Sequence, residues 1–421
     1  MKIFKFGGAS VKNAEAVQNM SHVVLKYAQM GDKLLVVVSA MGKTTNALER
    51  IINAAQKQDL STLNQELMAL RAYHHDIIHE LFPDPTARIY ELIDLAFAKL
   101  EKRVSTPRKN YNKHYDQIVS MGELISSRIV AEYLKTLTPT LWVDARAYVR
   151  TDESWREGKV DWASSEKAIQ NKIPQLAENH VLLTQGFIGG TLGKKTTTLG
   201  REGSDYTAAI FAYCTKAESV TIWKDVPGIL NADPKRLSDT KMYERLAYVD
   251  AAEMTYYGAS VIHPKTIKPL ANKNIPLHVK SFIKPEDPGT TIAAQATIPE
   301  MPAVIFKPGQ CLIHLLRKNL SAISDSSMAI IFSILERNDV VINLVQSSAV
   351  TLSICVNDDV AKIRNLKPLL EDDFDLKIQD RLELVTIKNY DQSSEAYVKS
   401  FSQVLLEQRS GQYWHLIVPA S

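Results

Sequence analysis

Strand-like and helix-like stretches alternate for nearly 300 residues of this 421-residue chain, and this alternation limits the fold more than any other feature. Residues 2 to 6, Lys-Ile-Phe-Lys-Phe, form a β-rich run that meets Gly7-Gly8, and Val11 to Met30 then carries apolar residues at helical spacing. Leu34 to Val38 is a second apolar run. A mostly helical stretch is expected at about 61 to 102, a helix at about 122 to 134, and strands at Leu182 to Phe187 and Val220 to Trp223. Apolar strands separated by helices need cover on both faces, so the expected class is α/β, an open and mainly parallel sheet between helical layers.

The pattern changes after Gln295 to Met301, a short non-periodic segment with a proline that reads as a linker. Beyond it, strand Leu312 to Leu316, helix Ser326 to Arg337, strands Val340 to Val345 and Val350 to Val356, helix Val360 to Leu370 and strand Phe374 to Ile378 form a ferredoxin-like α+β unit. A shorter copy follows, with strand Leu382 to Ile387, helix Ser394 to Glu407 and strand Tyr413 to Val418, and Ala303 to Lys307 is expected to supply it with another strand. The division is therefore 1–294, a linker at 295–302, and 303–421 with one full unit at about 311–380 and one shortened unit at about 303–309 plus 381–421.

Lys and Arg number 50 against 47 Asp and Glu, and no basic tract suggests nucleic acid, so any anion site must be local. No apolar run reaches the length of a bilayer span, and the first residues lack a signal-peptide pattern. The three cysteines, Cys214, Cys311 and Cys355, are too widely spaced for a metal site and read as buried thiols of a cytoplasmic protein.

Lys5-Phe6-Gly7-Gly8-Ala9-Ser10 places two glycines between a strand and a helix, where backbone amides and a lysine can approach an oxyanion. Gly42-Lys43-Thr44 imitates the end of a P-loop, but Val37 stands where that motif requires its first glycine. Ser39-Ala40-Met41-Gly42 with Thr45 is better read as a ligand loop at a strand's C-terminal end. Leu199-Gly200-Arg201-Glu202-Gly203-Ser204-Asp205-Tyr206 opens a helix with an arginine suited to carboxylate or phosphate and an aspartate able to anchor a lysine. His75 and His79 stand one turn apart without a third metal ligand and read as a solvated helix face.

These segments, with Met121-Gly122-Glu123, Gln185-Gly186-Phe187-Ile188-Gly189, Asp225-Val226-Pro227-Gly228, Asp233-Pro234, Gly258-Ala259, His263-Pro264 and Pro288-Gly289-Thr290, occur in the order found in aspartate kinases. The chain resembles that family over residues 2 to about 292, and its tail resembles the paired ACT domains that regulate it. The resemblance implies an amino-acid-kinase-like catalytic domain that phosphorylates the side chain of L-aspartate from ATP and Mg²⁺, the first step towards lysine, threonine and methionine. It implies Lys5 and Asp205 at the chemistry, with Asp205 holding Lys5. Substrate contacts fall on Thr45, Glu123, Phe187, Arg201 and Ser204, where Arg201 clamps the α-carboxylate and Glu123 takes the ammonium. Nucleotide contacts fall on Lys5, Gly7, Gly8, Ser10, Lys224, Asp225, Leu230, Lys235 and Ser260, and Mg²⁺ is carried by ATP rather than by protein side chains.

Three positions depart from the family pattern: Glu202 replaces glycine or asparagine, Leu230 a common tyrosine, and Ser260 a lysine for which Lys224 or Lys265 could substitute. The alternatives weighed are a kinase with another acceptor and a kinase-inactive amino-acid-binding regulator. At this length no fused homoserine dehydrogenase half is expected. The resemblance also implies a homodimer through the ACT units and an amino-acid effector, lysine or threonine, near Asn343, Ser347 and Ser348. Asn343 stands where lysine-sensitive members often carry aspartate, so weak or absent inhibition by lysine is expected.

Overall fold

The computed structural model describes residues 1–106, 109–259, 262–294 and 301–420. The chain forms two compact units: Met1–Ile229 with Met242–Ala252 and Ile262–Ile298, and Leu230–Lys241 with Glu253–Val261 and Pro299–Ser421.

In chain order up to residue 294 the elements are β1 (Lys2–Phe6), α1 (Ala14–Gln29), β2 (Leu34–Val38), α2 (Thr44–Gln56), α3 (Leu60–Leu81), α4 (Arg88–Val104) and α5 (Tyr111–Lys135). There follow β3 (Thr140–Val143), α6 (Trp162–Gln170), α7 (Ile173–Leu176), β4 (Val181–Gln185), β5 (Ile188–Gly190), β6 (Thr196–Thr198), α8 (Gly203–Thr215) and β7 (Ser219–Lys224). The last are β8 (Arg245–Ala247), α9 (Tyr248–Tyr256), α10 (Pro264–Asn272), β9 (Leu277–Ser281) and β10 (Thr290–Ala293).

Eight strands of the first unit form one sheet in the order β3-β4-β2-β1-β7-β9-β10-β8, parallel from β3 through β9, with β10 antiparallel to β9. All five residues of β2 are buried, as a strand covered on both faces requires. Helix α2 buries Ala47, Leu48, Ile51 and Ile52, a one-sided apolar stripe. The chain passes from β1 outward through β2 to the edge strand β3, fills the place between them with β4, and then crosses to the other side of β1 at β7. The order therefore reverses at β1, and open α/β sheets bind ligands in the crevice at the C-terminal ends of strands at such a point.

The helical stretch expected at 61–102 is two helices, because Pro83 and Pro85 cannot continue α3. Helix α5 begins at Tyr111, eleven residues before the expected start, capped by the Asn110 side chain accepting from the Lys113 amide. Strand β4 stops at Gln185 rather than Phe187, because Phe187 adopts φ +66° and leaves the extended conformation.

The second unit holds β11 (Ala303–Arg317), α11 (Asp325–Arg337), β12 (Ile342–Ser347), β13 (Thr351–Asn357), α12 (Val360–Leu370), β14 (Phe374–Lys388), α13 (Gln392–Lys399), β15 (Leu406–Ser410) and β16 (Tyr413–Pro419). Its six strands are ordered β12-β13-β11-β14-β16-β15. Strands β11 and β14 are each continuous over 15 residues, where separate shorter strands were expected. They pair antiparallel along their length with irregularities around Pro308 to Leu312, and Ala303 to Lys307 pairs with Leu384 to Lys388. The helix expected over 394–407 ends at Lys399, since 406–410 instead forms a hairpin with β16 across Gly411-Gln412. Cys311, Ile313 and Leu315 face a core with Ile331, Leu335 and Leu366, while Leu312 joins Leu384 and Ile417 in another.

Candidate active site

The loops that leave β1, β2 and β4 are tied into one surface by hydrogen bonds that extend the sheet ladder. The Ser39 amide donates to the Phe6 carbonyl (3.1 Å), the Gly42 amide to Gly8 (3.0 Å) and the Gly186 amide to Val38 (2.9 Å). Ser126 of α5 donates its hydroxyl to the Ser39 carbonyl at 2.7 Å, fixing that helix against the same loop.

Lys5, the fourth residue of β1, is buried, and its Nζ lies 2.6 Å from Asp205 Oδ1 in the first turn of α8. Lys224 at the end of β7 approaches the other Asp205 oxygen to 3.9 Å. Burial alone would raise the Asp205 pKa, but Lys5 and Lys224 beside it hold the carboxyl below the usual range. Glu202, the residue before α8, has φ +55°, and burial followed by the neighbouring Asp205 charge raises its pKa. A Cβ added at Gly7 would lie 3.4 Å from Lys5 Nζ, so that glycine borders the ammonium. Ser10, in the 3-10 turn Gly8–Val11, is buried with its hydroxyl unpartnered among the described residues.

A second group of residues gathers where β4 turns. Phe187 donates its amide to Thr207 Oγ1 (3.0 Å) and accepts from the Leu199 amide (2.8 Å), which secures its left-handed backbone. Gly186 lies against Ser204 so closely that a Cβ there would stand 2.4 Å from the Ser204 Cβ. Arg201 is exposed, with no hydrogen-bond or ion-pair partner among the described residues.

Glu123 lies in the buried middle of α5 at 3% exposure, with Oε2 unpartnered among the described residues. Burial pushes its carboxyl up to about 8, against backbone hydrogen bonds, one of them involving Ala40. A buried carboxyl with one empty oxygen beside a ligand loop suits a cation supplied from outside. Thr45 is the second residue of α2, whose first turn has no side-chain cap.

The other expected positions are less connected. Asp225 follows β7 directly, Leu230 and Lys235 belong to the second unit, and Ser260 lies outside the described residues. Lys265 donates to the Leu199 carbonyl at 2.7 Å. Ser347 and Ser348 are exposed at the end of β12. Asn343 is buried, donating to Gln310 Oε1 (2.6 Å) and Asn357 Oδ1 (2.8 Å) and accepting from Lys307 Nζ (2.7 Å).

Sequence reasoning missed the scaffold of these groups. Asp116 accepts from the Thr198 amide and hydroxyl and from the Arg156 amide, and Gln185 bridges Ser127 and Ala145. Only Gly122 gave a local signal, since a glycine inside a helix costs stability unless something packs closely against it.

Known proteins resemble the chain in sequence and in fold. The family model described as the amino acid kinase family matches residues 1–281. Lysine-sensitive aspartokinase 3 of Escherichia coli is 32% identical over 363 residues, 84% of this chain and 78% of that protein. The bifunctional aspartokinase/homoserine dehydrogenase of Buchnera aphidicola is 30% identical over 91% of this chain, which spans 47% of that longer protein. The crystal structure of E. coli aspartokinase III with aspartate and ADP superposes with a TM-score of 0.86 at 28% identity, covering 100% of this chain and 96% of that one.

Proposed function

Because the chain belongs to the amino acid kinase family, and within it to the aspartokinases, we propose that it transfers the γ-phosphoryl group of MgATP to the side-chain carboxylate of L-aspartate, giving 4-phospho-L-aspartate. The observation that carries this reading is the buried Lys5–Asp205 pair at the crevice where the strand order reverses, with Lys224 beside it.

An aspartate side chain has a pKa near 3.9 and is already a nucleophile at neutral pH, so the reaction needs no general base. The barrier lies in bringing that anion against a polyphosphate. Lys5 supplies a positive charge for the transferring group, and Asp205 keeps the ammonium in place. In this reading Gly7, Gly8 and Ser10 cradle phosphates, and Asp225, Leu230, Lys235 and Ser260 belong to the nucleotide side. Thr45, Phe187, Arg201 and Ser204 hold aspartate with Glu123, whose empty oxygen suits the substrate ammonium.

Mg²⁺ fits as part of the nucleotide. The fully buried carboxylate at the centre, Asp205, is engaged by two ammonium groups and is not free to serve as a metal ligand. When bound, Mg²⁺ would neutralise phosphate charge. Catalysis is ascribed to residues 1–294 and regulation to 303–421, with 295–302 as the linker.

An acceptor panel tests the function: purified protein with MgATP and aspartate, glutamate, acetylglutamate or uridylate. Phosphorylation of aspartate in clear preference to the others is expected. Turnover of another acceptor, or of none, would overturn the reading.

A further inference from the structure

His74 stands directly before the two histidines that resemble a metal pair in sequence, and it behaves differently from them. His75 reaches Asp94 at the surface (3.1 Å), whereas His74, the preceding residue of α3, is completely buried. Its ring meets Phe97 and Tyr73 edge to face, at centroid distances of 5.7 and 5.0 Å. Nδ1 lies 2.8 Å from the Leu70 carbonyl oxygen. A carbonyl only accepts, so Nδ1 carries the proton and Nε2 presents a lone pair. The group facing that lone pair is the Thr44 hydroxyl at 3.5 Å, which therefore donates to it.

Thr44 is the first residue of α2, and it is held from a second side. A Cβ built on Gly122 would fall 3.1 Å from Thr44 Cγ2, so the helix end packs directly on α5 at the residue before Glu123. Thr44 is thus fixed by its hydroxyl to α3 and by its methyl to α5. The next residue along α2 is Thr45, and the next along α5 is Glu123.

We propose that His74 is a positioning residue for aspartate recognition: its neutral imidazole accepts from Thr44 and, with the close packing at Gly122, sets the end of α2 that carries Thr45 against the turn of α5 that carries Glu123. The inference rests on the reading of Thr45 and Glu123 as aspartate contacts. His74 does not touch the substrate, and its effect passes through Thr44. A side chain present only to fill the core would shift stability without separating the two substrates. A positioning residue at this place acts on the aspartate side and leaves the nucleotide side, built on the loop after β1, largely untouched.

The experiment compares wild type with Thr44→Val, which keeps the shape and removes only the hydroxyl, His74→Phe, His74→Gln, and the double variant Thr44→Val/His74→Phe. Steady-state kinetics are measured separately against aspartate and ATP, alongside thermal melting. For Thr44→Val and His74→Phe, the KM for aspartate is expected to rise about fivefold to tenfold, the effect of losing roughly one hydrogen bond, with the KM for ATP within about twofold of wild type. The double variant should be no worse than the poorer single variant, because both remove the same link. His74→Gln, whose amide can donate to Leu70 or accept from Thr44, should recover part of the loss. Additive effects, parallel changes in both KM values, or an unchanged KM for aspartate in Thr44→Val would overturn the proposal even where wild type phosphorylates aspartate. If His74→Phe does not fold, Thr44→Val alone decides. A wild type that does not phosphorylate aspartate would bring down the functional reading, and this inference with it.

Discussion

Lys5 and Asp205 are both buried, so neither charge is screened by water, and each is costly to leave alone. Lys5→Ala is expected to lower kcat by several orders of magnitude, measured at saturating aspartate and ATP, because it removes the cation facing the transferred group. Near wild-type turnover would contradict its placement at the chemistry. Arg201→Ala and Glu123→Ala should lose chiefly kcat/KM for aspartate, by about a hundredfold, while a rise confined to the KM for ATP would contradict their assignment. Two buried groups also give opposite pH signatures. Glu123 has its pKa raised to about 8, so the folded, ligand-free protein binds more protons than the unfolded chain between pH 4.5 and 8, and stability falls as pH rises through that window. His74 has its pKa lowered to about 4, so the unfolded chain binds more protons between 4 and 6.5, and stability falls as pH drops through that range. The effects are on the order of 5 kcal/mol for Glu123 and 3 kcal/mol for His74. Thermal melts of Glu123→Gln and His74→Gln against pH should flatten the alkaline and acid sides of the wild-type curve respectively.

At the scale of elements, the candidate site is an assembly of loop ends whose spacing is set by backbone contacts. Gly186→Ala should therefore damage the site more than the fold: its Cβ would need the space of the Ser204 Cβ, displacing the start of α8 that also carries Asp205. A fall in activity beyond about a hundredfold, with the protein still folded by circular dichroism, is the expected result. The glycine-bearing turns and the α/β alternation were legible because Gly7-Gly8 and the apolar run of β2 carry strong local signals. The break between α3 and α4 is legible too, in Pro83 and Pro85. What could not be read were partnerships distant in sequence, such as Thr44 with His74 and Gly122, or Asp116 with Thr198. In the second unit the hairpin of β15 and β16 overrode a stretch that looks helical, because strand pairing depends on a neighbour that the local pattern does not contain.

Regulation belongs to the scale of the whole molecule. The E. coli relative is named for its sensitivity to lysine, yet here the Asn343 oxygen already accepts from the chain's own Lys307, and its amide nitrogen donates to Gln310 and Asn357. Lysine is therefore expected to inhibit weakly or not at all, and a titration of activity with lysine and threonine tests this; inhibition by micromolar lysine would refute it. A homodimer through the second unit is expected because β12 is an edge strand of its sheet and Val341, just before it, is half exposed. Light scattering of the full chain should give twice the mass of one subunit.

The two 15-residue strands β11 and β14 run through both halves of the second unit, with their pairing irregular only around Pro308 to Leu312. Each half therefore borrows its central ladder from the same pair of strands, and neither can melt while the other keeps its register. The six-stranded sheet should behave as a single foldon: amides at both ends of β11 should exchange with solvent in one cooperative opening, at one free energy. Exchange of the 303–307 end well before the 311–316 end would show that the irregularity around Pro308 acts as a mechanical break.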